Sequence, residues 1–375
     1  MNLLPVYSLF DVEPVEAKGQ YVYTIDGTKY LDLYGGHAVI SIGHSHPHFV
    51  KRLSEQLRKI AFYSNSVLIR NQLELAKKLG AMCGYKDWNL FMCNSGAEAN
   101  ENALKLASAY NQRKKILVFE KAFHGRTSLA VAATDNSNIV FPINEGAEVV
   151  RLQMEDFEGT EEEILKQDIC AVLIEGIQGI SGIHTPSVKF LKHLRKLCSQ
   201  TNTVLILDEI QSGYGRTGKF FAHQQASIEA DIVSMAKGMG NGFPVGAIIS
   251  QPKFEASLGM LGSTFGGNHL ACAACLAVLE VIEAENLINN AESMGSFLMD
   301  ELGKLPRVKE VRGAGVMIGV EFDFEIAELR KKLLYFHQIF TGSSSNKHTL
   351  RLLPSLSIKK PDLEIFISAL KMELL

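Results

Sequence analysis

A lysine at the end of an apolar run is the residue of this chain best suited to covalent chemistry. In Asp231-Ile-Val-Ser-Met-Ala-Lys-Gly-Met-Gly-Asn-Gly-Phe-Pro-Val-Gly, Lys237 follows a buried-type strand and precedes closely spaced glycines. An amine placed there is withdrawn from water. Desolvation disfavours its charged form, which is what an amine that condenses with a carbonyl requires. A strand-end lysine can also carry its ammonium out to solvent along a flexible stem, so Lys237 needs support from other segments.

Two segments supply it. Thr203-Val-Leu-Ile-Leu-Asp-Glu-Ile-Gln delivers Asp208, Glu209 and Gln211 to the carboxyl end of an apolar strand, where ligands bind in open α/β sheets. A buried carboxylate needs a cation, and a protonated pyridine nitrogen would serve, with the Gln211 amide reaching a ring oxygen. The same Asp-Glu pair could instead hold a metal or form a structural ion pair. No Gly-Lys-Ser/Thr phosphate loop accompanies it, so a nucleotide hydrolase lacks its other half. The second segment, Asn94-Ser-Gly-Ala-Glu-Ala-Asn, follows a strand and opens a helix, leaving N–H groups of Ser95, Gly96 and Ala97 free for an anion. Ser-Gly in that place is often only a cap.

The elements that must position these groups alternate. Strands are predicted at 89–93, 115–119, 169–175, 203–208, 231–235 and 245–250, and helices at 98–111, 161–166 and 187–199, the pattern of crossover units and a mostly parallel sheet in an α/β fold. From about Leu270 the pattern changes to a long Ala- and Leu-rich helix ending near Leu305. It is followed by strand-like residues 308–322, a helix near 325–335 and a last helix from Lys360. Hairpin-like alternation at 21–24 and 30–33 flanks a turn at Asp26 and Gly27. This gives an N-terminal arm (1–40), packed with the smaller unit or over the active site, a large domain (41–268), and a linking helix with a small α+β domain (269–375).

Composition narrows the function. The chain has 375 residues, 46% hydrophobic and 21% charged, an ordinary globular balance that excludes disordered and fibrous classes. With 38 basic against 41 acidic residues the net charge is −3, so there is no cationic excess for nucleic acid or an anionic membrane. No apolar run approaches the roughly 20 residues of a membrane helix, and the first ten residues lack the basic start of a secretory signal. Six cysteines are too sparse for a disulfide scaffold, which predicts a reduced, cytoplasmic enzyme.

Five ordered motifs carry a resemblance. Asn94-Ser-Gly-Ala-Glu-Ala-Asn, Phe123-His-Gly-Arg, Leu207-Asp-Glu-Ile-Gln-Ser-Gly-Tyr-Gly-Arg-Thr-Gly, Ala236-Lys-Gly-Met-Gly-Asn-Gly-Phe-Pro and Gly262-Ser-Thr-Phe-Gly-Gly-Asn together resemble the class III pyridoxal-phosphate aminotransferases, closest to the branch acting on acetylornithine. The likeness runs from Leu31 to Pro354 and implies a fold-type I transferase. It implies that Lys237 is joined to pyridoxal 5'-phosphate and later moves the proton, that Asp208 pairs with the pyridinium nitrogen, and that Gln211 contacts the phenolic oxygen. Gly96 and Ala97 would hold the phosphate and Phe123 would stack on the ring. Thr264 would reach the phosphate in a neighbouring subunit, which implies a homodimer with sites at the interface. Arg126, assisted by Ser263, matches a carboxylate clamp, suited by its planar guanidinium. Arg351 matches the arginine that receives the α-carboxylate of glutamate or 2-oxoglutarate.

The activity implied is transfer of the δ-amino group of an N-acylornithine to 2-oxoglutarate, within arginine metabolism. Relatives usually read Glu-Pro-Ile/Val-Gln-Gly-Glu where this chain reads Glu175-Gly-Ile-Gln-Gly-Ile180. The acid that neutralises the second arginine is thus replaced by Ile180, which points to a more positive pocket and to N-succinylornithine as an alternative donor. Other ω-aminotransferase chemistry, on ornithine or 4-aminobutyrate, keeps the same cofactor. A non-catalytic binder on the same scaffold is the reading from a different class, and it predicts loss of Lys237 or Asp208, both of which are intact. His44, His46 and His48 have alternate spacing that invites a metal, but Pro47 breaks the strand geometry, and no metal is expected. Cys272 and Cys275 have redox-motif spacing inside an Ala-rich helix, where packing is the better reading.

Overall fold

In the computed structural model, which describes residue 1 and residues 3–375, the first regular elements form an N-terminal hairpin. Strands β1 (Pro14–Lys18), β2 (Tyr21–Thr24) and β3 (Lys29–Asp32) form an antiparallel meander. The Asp26 carboxylate accepts the Thr28 N–H across the turn.

The most apolar runs form the middle of the central sheet. Its seven strands are β4 (Asn89–Cys93), β5 (Lys115–Phe119), β6 (Val149–Leu152), β7 (Ile169–Glu175), β8 (Val204–Asp208), β9 (Ile232–Met235) and β10 (Gly246–Ser250), in the order β4-β10-β9-β8-β7-β5-β6. Every residue of β7, β8 and β9 is buried, as expected for strands covered on both faces. The sheet is mostly parallel, and β10 alone runs antiparallel, against β4 and β9. Helix Gly96–Asn111 covers one face through Ala99, Ala103, Leu104 and Ala107, while Val188–Thr201 covers the other through Phe190, Leu191, Leu194 and Leu197.

Beyond the sheet the structure differs from the sequence-based expectation in three places. The single helix expected from Leu270 to Leu305 is two, His269–Ala284 and Leu287–Leu302, because Asn286 takes a left-handed conformation (φ 52°) that asparagine tolerates better than most side chains. Residues 308–322 are a hairpin, β11 (Val308–Ala314) and β12 (Met317–Phe322), turning at Gly315. Helices Pro47–Lys59 and Arg70–Cys83 are not marked in the sequence-based reading; the first is amphipathic and has no fully buried residue, its Phe49 packing half-buried against the core.

The short strands β13 (Ile339–Phe340), β14 (Gly342–Ser343) and β15 (Thr349–Leu352) complete the C-terminal part, with β15 between β12 and β14. Strand β13 pairs in parallel with β3, Ile339 opposite Leu31, so the N-terminal arm shares a sheet with C-terminal residues. The last helix, Lys360–Leu374, packs Leu363, Phe366 and Leu370 into the core. Among the described residues no helix is long and apolar enough to cross a membrane.

Candidate active site

The carboxyl ends of β4, β7, β8 and β9 converge, and a cavity of about 300 Å³ opens above them. Lys237, Asp208, Gln211, Gly96, Ala97, Phe123 and Arg126 all line it. Seven sequence-predicted residues from four separate motifs are thus brought to one place.

Lys237 stands one residue beyond β9, after Ala236, and adopts a left-handed backbone (φ 46°), a conformation costly for a residue with a Cβ and typical of strained functional positions. Burial is the main influence that lowers the proton affinity of its amine, opposed by the nearby charges of Asp208 and Glu175 and reinforced by Arg351. A lowered proton affinity favours the neutral, nucleophilic form of the amine.

Asp208 ends β8 and is 3% exposed. Three donors fix its carboxylate: His124 Nδ1 and Asn100 Nδ2, each 2.8 Å from Oδ2, and the Ile210 N–H at 3.0 Å from Oδ1. Asn100 is itself held by the Ser234 hydroxyl at 2.6 Å and donates to the His124 carbonyl at 2.8 Å. The carboxylate can neither rotate nor retreat from the cavity. Strand alternation turns the neighbouring Glu209 the other way, where His223 Nδ1 (2.7 Å), Ser212 Oγ (2.6 Å) and two backbone N–H groups occupy it. The adjacent acids therefore do different jobs.

Glu175, at the end of β7, also lines the cavity. It accepts the N–H groups of Phe123 and Gly179, each at 2.9 Å, and so ties the Phe123-His-Gly-Arg loop to the Gln178-Gly-Ile loop. Its burial raises its carboxyl to about 7, the positive influence of His124 pulling it down and Asp208 pushing it further up.

At the cavity wall, the helix beginning at Gly96 is capped by Ser95 Oγ, which accepts the Glu98 N–H at 3.2 Å. The N–H groups of Gly96 and Ala97 find no backbone acceptor among the described residues. Gly125 (φ 138°) allows the Phe123–Arg126 loop to lie against this helix start, since a Cβ there would sit 2.8 Å from Ala97 Cβ. Gln211 donates through Nε2 to the His37 carbonyl at 3.3 Å, while its buried Oε1 has no partner among the described residues. The amide packs so closely on Gly179 that a Cβ at that residue would meet Oε1 at 1.8 Å. Arg126 is exposed on the rim and makes no ion pair among the described residues; its guanidinium lies 6.0 Å from the Phe123 ring centroid.

Three predicted residues lie outside the cavity lining. Ser263 is engaged by the Asn94 amide (3.0 Å) and the Gly266 N–H (2.9 Å). Thr264 is exposed on the same loop, beside Phe265 and Phe62, whose rings are 5.4 Å apart. Arg351 is held against the loop that carries Ile180, donating to the Gly179 carbonyl at 3.1 Å. Sequence reasoning quoted His124, Asn100 and Glu175 within motifs without giving them tasks, and it missed Tyr34 and His37, whose only signal is the adjacent Gly35-Gly36 pair.

His44, His46 and His48 each face a different carboxylate, Asp32, Glu285 and Glu280, and among the described residues no group of three potential metal ligands forms.

The donor set of the cavity fits pyridoxal phosphate. Two free N–H groups at the start of a 16-residue helix suit a phosphate, the orphaned Gln211 oxygen and the fixed Asp208 carboxylate suit a protonated heterocycle and its hydroxyl, and Lys237 supplies the amine. When bound, this cofactor supplies an electron sink for the carbanion left at the carbon bearing the reacting amine.

A sheet of this order with such a lysine at its carboxyl edge is the architecture of the fold-type I enzymes, which work with pyridoxal phosphate. Within that class, the sequence profile of the class-III aminotransferases matches residues 6–374, and the chain belongs to that family. The acetylornithine aminotransferase of Nitrosomonas europaea is 37% identical, the match covering 97% of this chain and 95% of the relative. That of Methanocaldococcus jannaschii is 38% identical over 98% and 94%. Among solved structures, the acetylornithine aminotransferase of Elizabethkingia anophelis superposes with a TM-score of 0.87 at 29% identity, covering 99% of this chain and 96% of that one. The ornithine aminotransferase of Toxoplasma gondii gives 0.93 at 27% identity, over 99% and 92%.

Proposed function

We propose that the enzyme moves the δ-amino group of N-acetylornithine to 2-oxoglutarate, giving the semialdehyde and glutamate. The observation that carries this reading is a lysine-containing cavity with Arg126 on its rim and a second arginine, Arg351, held just outside its lining on the Gly179 carbonyl, neither with an acidic partner among the described residues. One arginine suits the single carboxylate of an acylated donor; two suit a five-carbon dicarboxylate acceptor. Full-length relatives named acetylornithine aminotransferase support the same choice. Acylation of the α-amine leaves one reactive amine and prevents the product aldehyde from cyclising onto it.

In this scheme Gly96 and Ala97 hold the cofactor phosphate through their N–H groups. Phe123 covers one ring face, Gln211 meets the phenolic oxygen, and Asp208 keeps the ring nitrogen protonated. Lys237 would hold the cofactor through its amine and would move the proton at the donor's reacting carbon. Arg126, with Ser263 beside it, takes the donor carboxylate. Thr264 serves a second subunit's cofactor. The exposed Phe62, Tyr63, Val67, Leu68, Leu258 and Phe265 near it supply an apolar face that a homodimer would cover. Six unpaired, buried cysteines suit a reducing, cytoplasmic setting.

N-succinylornithine is the second donor to consider, because Ile180 presents no charge against a further carboxylate. Steady-state kinetics on the purified holoenzyme with N-acetylornithine, N-succinylornithine, ornithine and 4-aminobutyrate decides. The proposal expects the acetyl compound to have the highest kcat/KM and free ornithine to be a poor donor. A preference for ornithine or 4-aminobutyrate refutes it.

A further inference from the structure

Arg351 is 2% exposed, and its guanidinium donates to the carbonyls of Ser343 and Gly179, with a long contact of 3.4 Å from Nη2 to the Tyr34 hydroxyl. No carboxylate among the described residues pairs with it. The Tyr34 hydroxyl in turn meets His37 Nδ1. A guanidinium can only donate, and the His37 ring supplies the only acceptor that the Tyr34 phenol proton meets among the described residues, which gives the chain its direction. Arg351 donates to the Tyr34 oxygen, and Tyr34 donates to His37 Nδ1. The imidazole proton is then on Nε2. The same hydroxyl is 3.3 Å from that nitrogen but has no second proton to exchange, and no other described group bonds to it.

The groups facing this imidazole keep it neutral. Burial, then the charges of Arg351 on β15 and Lys237 after β9, lower it to about 4. Arg330, from helix Ala327–Tyr335, adds its charge at Tyr34. The one acid nearby, Asp32, is committed to the Tyr34 and Gly35 N–H groups (2.9 and 2.8 Å) and to His44. The backbone is unusual as well: Gly35, Gly36, His37 and Ala38 have φ of 56°, 55°, 68° and 66°, a full left-handed turn that disfavours every residue with a Cβ. An imidazole is thus kept where the backbone prefers glycine.

We infer that His37 is a specificity-determining residue for the dicarboxylate acceptor, its Nε2–H donating to the same carboxylate that Arg351 receives, with Tyr34 holding the two donors in register. This rests on the transamination reading above. An acylated donor whose one carboxylate goes to Arg126 does not reach the relay, so His37 acts on one half-reaction and not the other.

The test uses the holoenzyme, calorimetric titration with glutarate as an unreactive dicarboxylate, and separate kinetics for the two substrates. His37→Gly removes the ring while relieving the backbone, so a folding defect is not expected. His37→Asn keeps a side-chain N–H on a residue that tolerates the left-handed turn. His37→Gly is expected to bind glutarate about tenfold more weakly and to raise the KM for 2-oxoglutarate by a similar factor, with the KM for N-acetylornithine within about twofold of wild type. His37→Asn recovers part of the loss, and Tyr34→Phe reproduces it. Wild-type glutarate affinity in His37→Gly overturns the inference, and so does an equal loss for donor and acceptor. If wild-type enzyme fails to transaminate N-acetylornithine, the functional reading falls while the glutarate comparison still decides the role of His37.

Discussion

His124 and Asp208 are locked together beneath the cavity, the imidazole Nδ1 lying 2.8 Å from Oδ2 with both side chains buried. Asn100 reaches the same oxygen and the Ile210 N–H the other, so an amide of the same shape fits here but turns its own NH2 toward one of these donors. Asp208→Asn is therefore expected to retain the fold but to lose the anion that keeps the heterocycle protonated, lowering kcat by about a hundredfold or more. A kcat within a few-fold of wild type, with cofactor bound, would show that the carboxylate has no such task.

Lys237 makes a paired expectation. Without its amine the covalent route closes, and Lys237→Met should lose about a thousandfold or more in turnover. Because burial depresses the proton affinity of Lys237 in the folded chain, the amine disfavours folding at any pH below its unfolded range near 10.5. The cofactor-free Lys237→Met protein should accordingly melt at a higher temperature than cofactor-free wild type at pH 7. A lower Tm would contradict the assignment of a desolvated amine.

Ile180 lines the cavity next to Gly179, whose carbonyl already accepts from Arg351. A carboxylate introduced by Ile180→Glu can reach the guanidinium and compete with the acceptor's carboxylate for it. The KM for 2-oxoglutarate is expected to rise about tenfold, with a smaller change for N-acetylornithine. Equal effects on both substrates would place Arg351 outside acceptor binding.

Much of this site was legible in the sequence because its chemistry sits at strand ends, where a short continuous apolar run marks a strand buried on both faces and the polar residues just past it. Asp208 and Lys237 are of that kind. The tasks of Glu209 and His124 were not legible, since which of two adjacent acids faces the ligand depends on strand phase, and the His124 contact joins residues 84 positions apart. His37 was hidden for another reason: its importance lies in a left-handed backbone and in partners on β15, neither of which a local pattern records. The helix break at Asn286 escaped because apolar periodicity continues on both sides of a single left-handed residue.

Glu175 gives the enzyme a pH signature of its own. It is 6% exposed, and burial together with the Asp208 charge raises its carboxyl to about 7 from a usual 4.5, even though His124 and two backbone N–H groups favour the ionised form. The folded chain therefore holds this proton more tightly than the unfolded chain. The associated stability is complete below about pH 4.5 and is lost as the pH rises through about 7, amounting to about 3 kcal/mol across that window. Glu175→Gln cannot ionise, so although it weakens the contact with the Gly179 N–H, its unfolding free energy should change less between pH 5 and 7 than that of wild type. Denaturant unfolding of both proteins at pH 5, 6 and 7 measures the difference in slope. Parallel profiles would mean that Glu175 is already ionised throughout this range and that the two carboxylates share the cavity floor as anions.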